Sequence, residues 1–438
     1  MAGIRGLATR LSWGLADQAV SSMTNFLVGV YVARSLGVTA FGVFSLAWVT
    51  YGVVLNLSRG LATDPLVVRF SGVPAEKWRN ATARSSGTAI GVGIAFGLLS
   101  VVIGFVLPGS LGSAFIALGI VSPGLLLQDS WRFAFFANGQ GHNAVVVDIV
   151  WAVTMFPLLM IAADFGSVAG FVLAWGGAAM FAAACGWLLS KIRPTLAGSR
   201  EWLRNHRDLG SRYLVENVSN SGAGQLRMYA VGAIVGLSGV GAIRGAELLL
   251  GPFMALLMGL NLVAVPEAAR VLRRAPHRLE KFCLVLGSVQ AVAALGWGLV
   301  LLFLVPDALG AWVLHDVWGP AAELILPVTL SLSAAGIVAG AAAGLRALGA
   351  APRSLRAQLY LSAGYLGGGV AGAFVAGTIG ASWGSTIAMF GAATLWWLQL
   401  RAGLRDHAAA LPRTDEAVDA VDAVDTRPRA EQEEMRTP

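Results

Sequence analysis

Two stretches long enough to cross a membrane keep charged and hydrogen-bonding residues on one helical face, and those faces are where chemistry could occur. Glu216, Asn220, Ala223 and Arg227 follow i, i+4, i+7, i+11 spacing, so they line one side of a helix. Asp17, Ser21, Thr24 and Asn25 follow i, i+4, i+7, i+8 in the same way. A charged side chain at the bilayer centre costs roughly 3 kcal/mol even on the lenient insertion scale, so each one that persists needs a reason. Arg227 lies at least about 15 Å at helical rise from either end of its span, too deep to reach water by snorkelling. Two readings are open for it: an internal ion pair that fixes packing, or a cation lining a central cavity, and the second is carried forward. Asp17 sits nearer the end of its span. It is either a hydrated carboxylate or, if buried, a group that binds and releases a proton during transport. Glu216 occupies the equivalent place in the second stretch, and either acid could coordinate Na⁺ instead.

Further arginines join this set. Arg59 has Asn56 and Thr63 on its face, and Arg132 has Gln128 and Asp129 at i−4 and i−3. Each lies about one turn from the end of a span, where snorkelling explains either one singly. Arg34 closes the first span beside a turn, and Arg244 and Glu247 at i, i+3 read as an ion pair on the outward side. Arginine grips phosphate oxygens bidentately, so Arg34, Arg59, Arg132 and Arg227 together point to an anionic head group as ligand. Asp148, Asn261, Glu267 and Gln290 read as packing hydrogen bonds. There is no GxxxxGK[ST] phosphate loop, no HExxH and no GxSxG. The five His are scattered, and Cys185 and Cys283 lie far apart in apolar surroundings, with no metal-ligand spacing. The expectation is a transporter rather than an enzyme, with no cofactor.

The elements that must position these residues follow from composition. Of 438 residues, 56% are hydrophobic and 13% charged, against roughly a quarter charged in soluble domains. Twelve spans are expected, at 11–33, 40–63, 86–107, 112–135, 144–163, 167–190, 213–237, 241–268, 282–305, 319–345, 354–378 and 381–400. Their connections alternate in charge. Arg69, Lys77, Arg79 and Arg84, the cluster from Lys191 to Arg212, that from Arg270 to Lys281, and Arg346 with Arg353 all fall on one side. Arg34, Asp164, Asp307 and Asp316 fall on the other. The positive-inside rule then places both termini in the cytoplasm and explains the net charge of +7 without nucleic acid. Arg5 and Arg10 precede an apolar run that Asp17 and Gln18 interrupt, which reads as an uncleaved first span. The divisions expected are a six-helix lobe at 1–190, a basic linker at 191–212, a second six-helix lobe at 213–403 and an acidic, disordered tail at 404–438. The fold class is therefore an all-α polytopic membrane protein of about twelve transmembrane helices in two six-helix lobes related by pseudo-two-fold symmetry. An Arg-rich, Ala- and Gly-rich composition suggests a high-GC bacterium and its plasma membrane.

A repeat at 199 positions supports the two lobes: Asp17, Ser22, Gly37 and Gly42 meet Glu216, Ser221, Gly236 and Gly241. The stretch ADQAVSSMTNFLVGVYVARSLGVTAFGVFSLA, Ala16 to Ala47, resembles the opening of polysaccharide-export flippases of the O-antigen type, within the multidrug/oligosaccharidyl-lipid/polysaccharide superfamily. Its core, ARSLGVTAFGVFSLA, is similar to that family's AR-x-LG-x-x-x-FG turn, and RALGAAPRS (Arg346 to Ser354) resembles its second-half loop. The resemblance implies a flippase that turns a polyprenyl-pyrophosphate-linked oligosaccharide to the outer leaflet by alternating access driven by a proton or sodium gradient. It implies Arg34, Arg59, Arg132 and Arg227 as cavity cations and Asp17 and Glu216 as coupling acids. Its partners would be membrane lipids and the glycan polymerase and glycosyltransferases of the pathway. The motif recurs in cation-coupled drug exporters, which form the alternative. The GxxxDRxGRR pattern of major-facilitator transporters is absent from 64–85, and no long outer loop carries the acids a membrane glycosyltransferase needs.

Overall fold

Backbone polar groups in hydrocarbon must be satisfied within their own segment, so apolar runs of this length become helices. The computed structural model describes residues 2–410, with side chains described except those of 2–12, 15, 211–221, 252, 255–259, 261–263 and 410. Among the described residues there is no strand. The helix Ala2–Ser58 breaks at Gly37, which separates α1 (2–36) from α2 (38–70); α2 contains one π turn, Arg59–Thr63. Next come α3 (Ala75–Val106), α4 (Gly109–Ala137), α5 (Gly141–Phe165) and α6 (Val168–Ser190). The second half holds α7 (Arg207–Ile234), α8 (237–274, interrupted at Leu250), α9 (279–304), α10 (Trp318–Ala347), α11 (351–375) and α12 (378–410). The break between α11 and α12 is at Ala376 and Gly377. The twelve expected spans each overlap one of these helices, whose ends run past the expected bounds by as much as 11 residues, at the start of α3. Pro123, Pro157 and Pro327 lie inside α4, α5 and α10.

Polarity is inverted relative to a protein in water. Leu98, Val102, Phe105 and Val106 on α3 are exposed, while Asp17, Asp148 and Arg227 are buried. That is the distribution a hydrocarbon solvent demands, and the protein is a multi-pass membrane protein. Two ends differ from expectation. α12 runs on to Ala410, because Arg401 Nε lies 2.9 Å from Glu280 of α9 and Arg353 of α11 pairs with Asp406. The rest of the expected tail, 411–438, lies outside the described residues. The linker is also more ordered than its charge implies. Its helix Ser199–Asn205 buries Trp202, whose indole donates to the Leu61 carbonyl at 3.1 Å.

The 199-residue repeat is visible at the axis between the halves. Gly37 and Gly236 share an unusual backbone, φ 74°, ψ 170° and φ 98°, ψ 175°, a region essentially reserved for glycine. Five residues on, Gly42 and Gly241 pack against each other. A methyl group on Gly42 would strike the Leu237 carbonyl, and one on Gly241 would strike the Val38 carbonyl, its counterpart. Because backbone cannot move aside, Gly42→Ala and Gly241→Ala should each cost about 1–3 kcal/mol. Gly367→Ala, whose methyl group would meet nothing, is the matched control. Thermal denaturation of the purified variants in detergent measures the difference.

Candidate functional site

Among the described residues each half holds an ionic cluster within the membrane-spanning region, buried in the first half and half-buried in the second, and the two have opposite net charge. In the first half, Gln128, Asp129 and Arg132 leave α4 on one face. Arg132 pairs with Asp17 of α1, lies 3.0 Å from Asp148 Oδ1 of α5, and 3.6 Å from Asp129. Arg59 of α2 holds Asp129 bidentately, at 2.6 and 3.0 Å, and stacks on Phe133. Gln128 Nε2 donates to Asp148 Oδ1 at 2.8 Å. Three carboxylates thus face two guanidiniums, all within the membrane-spanning region. The π turn of α2 begins at Arg59. Two of its carbonyls are capped from outside, Leu61 by Trp202 and Ala62 by the Ser85 hydroxyl at 2.9 Å.

In the second half, Arg227 of α7 reaches Glu247 Oε1 of α8 at 2.8 Å, and Arg244, one turn before Glu247, reaches Oε2 at 2.8 Å. Arg227 also lies over the Tyr365 ring of α11, 4.8 Å from its centroid. Two guanidiniums here share one carboxylate. This cluster opens onto two chambers. One, of about 380 Å³, lies within the second half and is lined by Arg227, Tyr365, Ser331, Ser385 and Thr386. The other, of about 390 Å³, lies between the halves and is lined by Gln18, Ser22, Asn25, Phe26, Phe44 and Trp48 of α1 and α2. Arg244, Glu247 and Met254 line both, so the ionic cluster sits where the chambers meet. The halves are joined beside them by a 2.6 Å hydrogen bond between the Thr50 and Tyr229 hydroxyls.

Of the residues expected from sequence, Arg227 lines a chamber and Asp17 is buried in the first-half cluster. Arg59 and Arg132 line neither chamber; both are engaged by carboxylates from neighbouring helices. Arg34 lies outside as well: it donates to the Trp312 carbonyl at 2.6 Å and stacks on that ring, tying the first half to the short helix Asp307–Leu314. The side chains of Glu216 and Asn261 lie outside the described residues. Asp148 and Glu247 carry more than packing. Asp148 shares Arg132, and Glu247, paired with Arg244 as expected, is also the partner of Arg227. Glu267 pairs with Arg270 at the basic end, and Gln290 is buried with no hydrogen-bond partner among the described residues.

No family model matches the sequence, and no curated protein matches it. Solved structures do. An inward-facing multidrug resistance MATE family transporter of the MOP superfamily superimposes with a TM-score of 0.73 at 16% identity, over 92% of this chain and 99% of that one. An outward-facing structure of the same description reaches 0.53 at 16% identity, over 92% and 96%. The lipid II flippase MurJ, in an inward closed conformation, reaches 0.61 at 12% identity, over 90% and 87%. The chain has the two-lobe fold of these transporters.

Proposed function

We propose that this chain is a flippase that moves a polyprenyl-pyrophosphate-linked oligosaccharide across the bacterial plasma membrane by alternating access, with its basic end and both termini in the cytoplasm. The observation that carries the reading is the Arg227–Glu247–Arg244 cluster where the chambers meet. Two guanidinium forks held by a single carboxylate leave donors and one positive charge for a diphosphate. Ser22, Asn25, Ser331 and Ser385 offer hydroxyl and amide partners for sugar, and Phe26 and Trp48 offer flat faces to stack on it. Arg59 and Arg132 serve in this reading to hold the acids of the first half rather than the substrate.

Those acids supply the coupling. Asp17, Asp129 and Asp148 exceed their two arginines by one negative charge, and Asp17 Oδ1 and Asp148 Oδ2 are buried without a hydrogen-bond partner among the described residues. An uncompensated buried charge is costly, so the cluster is completed by one proton or one sodium ion, bound from one side and released to the other. Asp17→Asn removes the excess charge while keeping the side chain's size. Transport by this variant in vesicles should no longer respond to an imposed pH or sodium gradient; an unaltered response would make Asp17 structural.

A second reading, export of small organic cations, is favoured by the aromatic wall of Phe26, Phe41, Phe44 and Trp48 and by the carboxylate at its edge. It also accords with the multidrug resistance transporters that share the fold. Reconstituted protein separates the two. The flippase reading expects movement of a fluorescent polyprenyl-diphosphate saccharide well above empty vesicles and no ethidium flux, and the opposite pattern selects the exporter.

A further inference from the structure

At the basic end, each half has a groove between its second and third helices, lined by arginine and lysine. In the first half, between α2 and α3, it has a volume of about 490 Å³ and is lined by Arg69, Lys77 and Arg84. Protein already occupies part of it. Asp208 meets Arg69 at 2.7 Å, and Glu201 meets Arg84 at 2.8 Å. Trp202 forms one wall, its ring 5.7 Å from that of Phe70.

The second-half groove, between α8 and α9, is larger, about 820 Å³, and Arg270, Arg274, Arg278 and Lys281 line it. Glu267 takes Arg270, and Glu280, next to Lys281, is engaged by Arg401 of α12 at 2.9 Å. Arg274, Arg278 and Lys281 are exposed and have no ion-pair partner among the described residues. Four cations against Glu267 leave the groove at +3.

Charge alone does not choose the ligand; the apolar wall does. Val271 of α8 and Phe282 and Val285 of α9 complete the lining. Val285 also begins a row, Val285, Val289, Val292 and Gly296 at i, i+4, i+7 and i+11, which lies on one face of α9 and is exposed throughout. From Val285 to Gly296 the row runs about 16 Å at helical rise, near half of a hydrocarbon core about 30 Å thick. Cations at the head of an exposed apolar track of that length match a molecule with an anionic head and an acyl chain. A soluble anion would use the cations and leave the track bare.

We propose that the α8–α9 groove binds an anionic phospholipid of the leaflet at the basic end. Arg274, Arg278 and Lys281 hold its phosphate, and one acyl chain lies along Val285, Val289 and Val292. Guanidinium forks match phosphate oxygens through paired N–H donors, and each cation near a membrane surface adds to the attraction of anionic lipid. The first-half groove, with Arg69 and Arg84 already paired, holds such a lipid less firmly. This assignment stands whichever molecule is transported.

The test uses the full chain in phosphatidylcholine nanodiscs doped with limiting phosphatidylglycerol that carries a diazirine in one acyl chain. Irradiation and peptide mapping should place the label within 282–296, well above the yield from the same diazirine on phosphatidylcholine and above any label within 69–84. The double variant Arg274→Gln, Arg278→Gln should cut labelling at least about tenfold, as loss of two surface cations implies. Arg274→Lys with Arg278→Lys, which keeps the charge, should retain most of it. Both arginines are exposed, so these variants fold, and monodisperse elution verifies it. Excess glycerol 3-phosphate in solution should leave the label in place, because it has no chain to lie on the track. Equal labelling by the two lipids, label that maps elsewhere, or indifference of a monodisperse Arg274→Gln, Arg278→Gln protein overturns the proposal. So does displacement by glycerol 3-phosphate, because the groove then belongs to a soluble phosphate.

Discussion

On the proposed flippase function, Arg227→Ala is expected to lower export at least about 100-fold, a loss near 2.7 kcal/mol in the translocation step, while leaving the protein folded. The fold survives because Glu247 keeps Arg244 at 2.8 Å, so no buried carboxylate is stranded. Function fails because the chamber loses the guanidinium that faces both Tyr365 and the meeting point of the cavities. Arg227→Lys should recover only part of the loss, because an ammonium cannot offer the planar pair of donors a diphosphate matches. Lipid-linked glycan accumulating on the cytoplasmic leaflet of cells relying on each variant is the measurement. Undiminished export by a monodisperse Arg227→Ala protein would remove the chamber from the mechanism.

Arg132→Gln should act in the opposite way, on stability first. It leaves Asp17, Asp129 and Asp148 with Arg59 alone, and breaking a buried ionic network from one side costs about 3–5 kcal/mol. Adding Asp148→Asn restores the original charge difference and should recover most of that loss, a coupling that a double-mutant cycle reads directly. Thermal unfolding followed by fluorescence-detected size exclusion supplies the four values. If Arg132→Gln unfolds with the wild type, the three acids are not the burden their geometry implies.

The sequence alone carries the helices, their number and the two-fold repeat, because each depends on local periodicity or on a fixed offset. It also exposes Arg227, since a mid-span arginine is conspicuous without any knowledge of its neighbours. What it does not carry is which helix faces which. Arg59 and Arg132 read as cavity cations because the carboxylates that hold them, Asp129 for Arg59 and Asp17 and Asp148 for Arg132, lie on other helices more than a dozen residues away. Arg227 shares a helical face with Glu216, yet its partner is Glu247, one helix on. Helical spacing defines a face but not the element opposite, and the local signal, Asp129 at i−3 of Arg132, marks the longest of that arginine's three ion contacts, 3.6 Å. The seat of Trp202 was hidden for another reason. A cluster of linker arginines satisfies the positive-inside rule so completely that the buried aromatic among them attracts no notice.

The contact of Gly42 with Gly241 has a consequence for how such a chain is assembled. Residue i of one half meets residue j of the other and the reciprocal pair is equivalent, which is the geometry of a symmetric dimer rather than of two unlike domains. Neither glycine can therefore drift alone: a side chain admitted at one position must be accommodated by a backbone shift that its twin also feels. Two sites almost two hundred residues apart are bound to a common fate, as if the polypeptide were still two subunits.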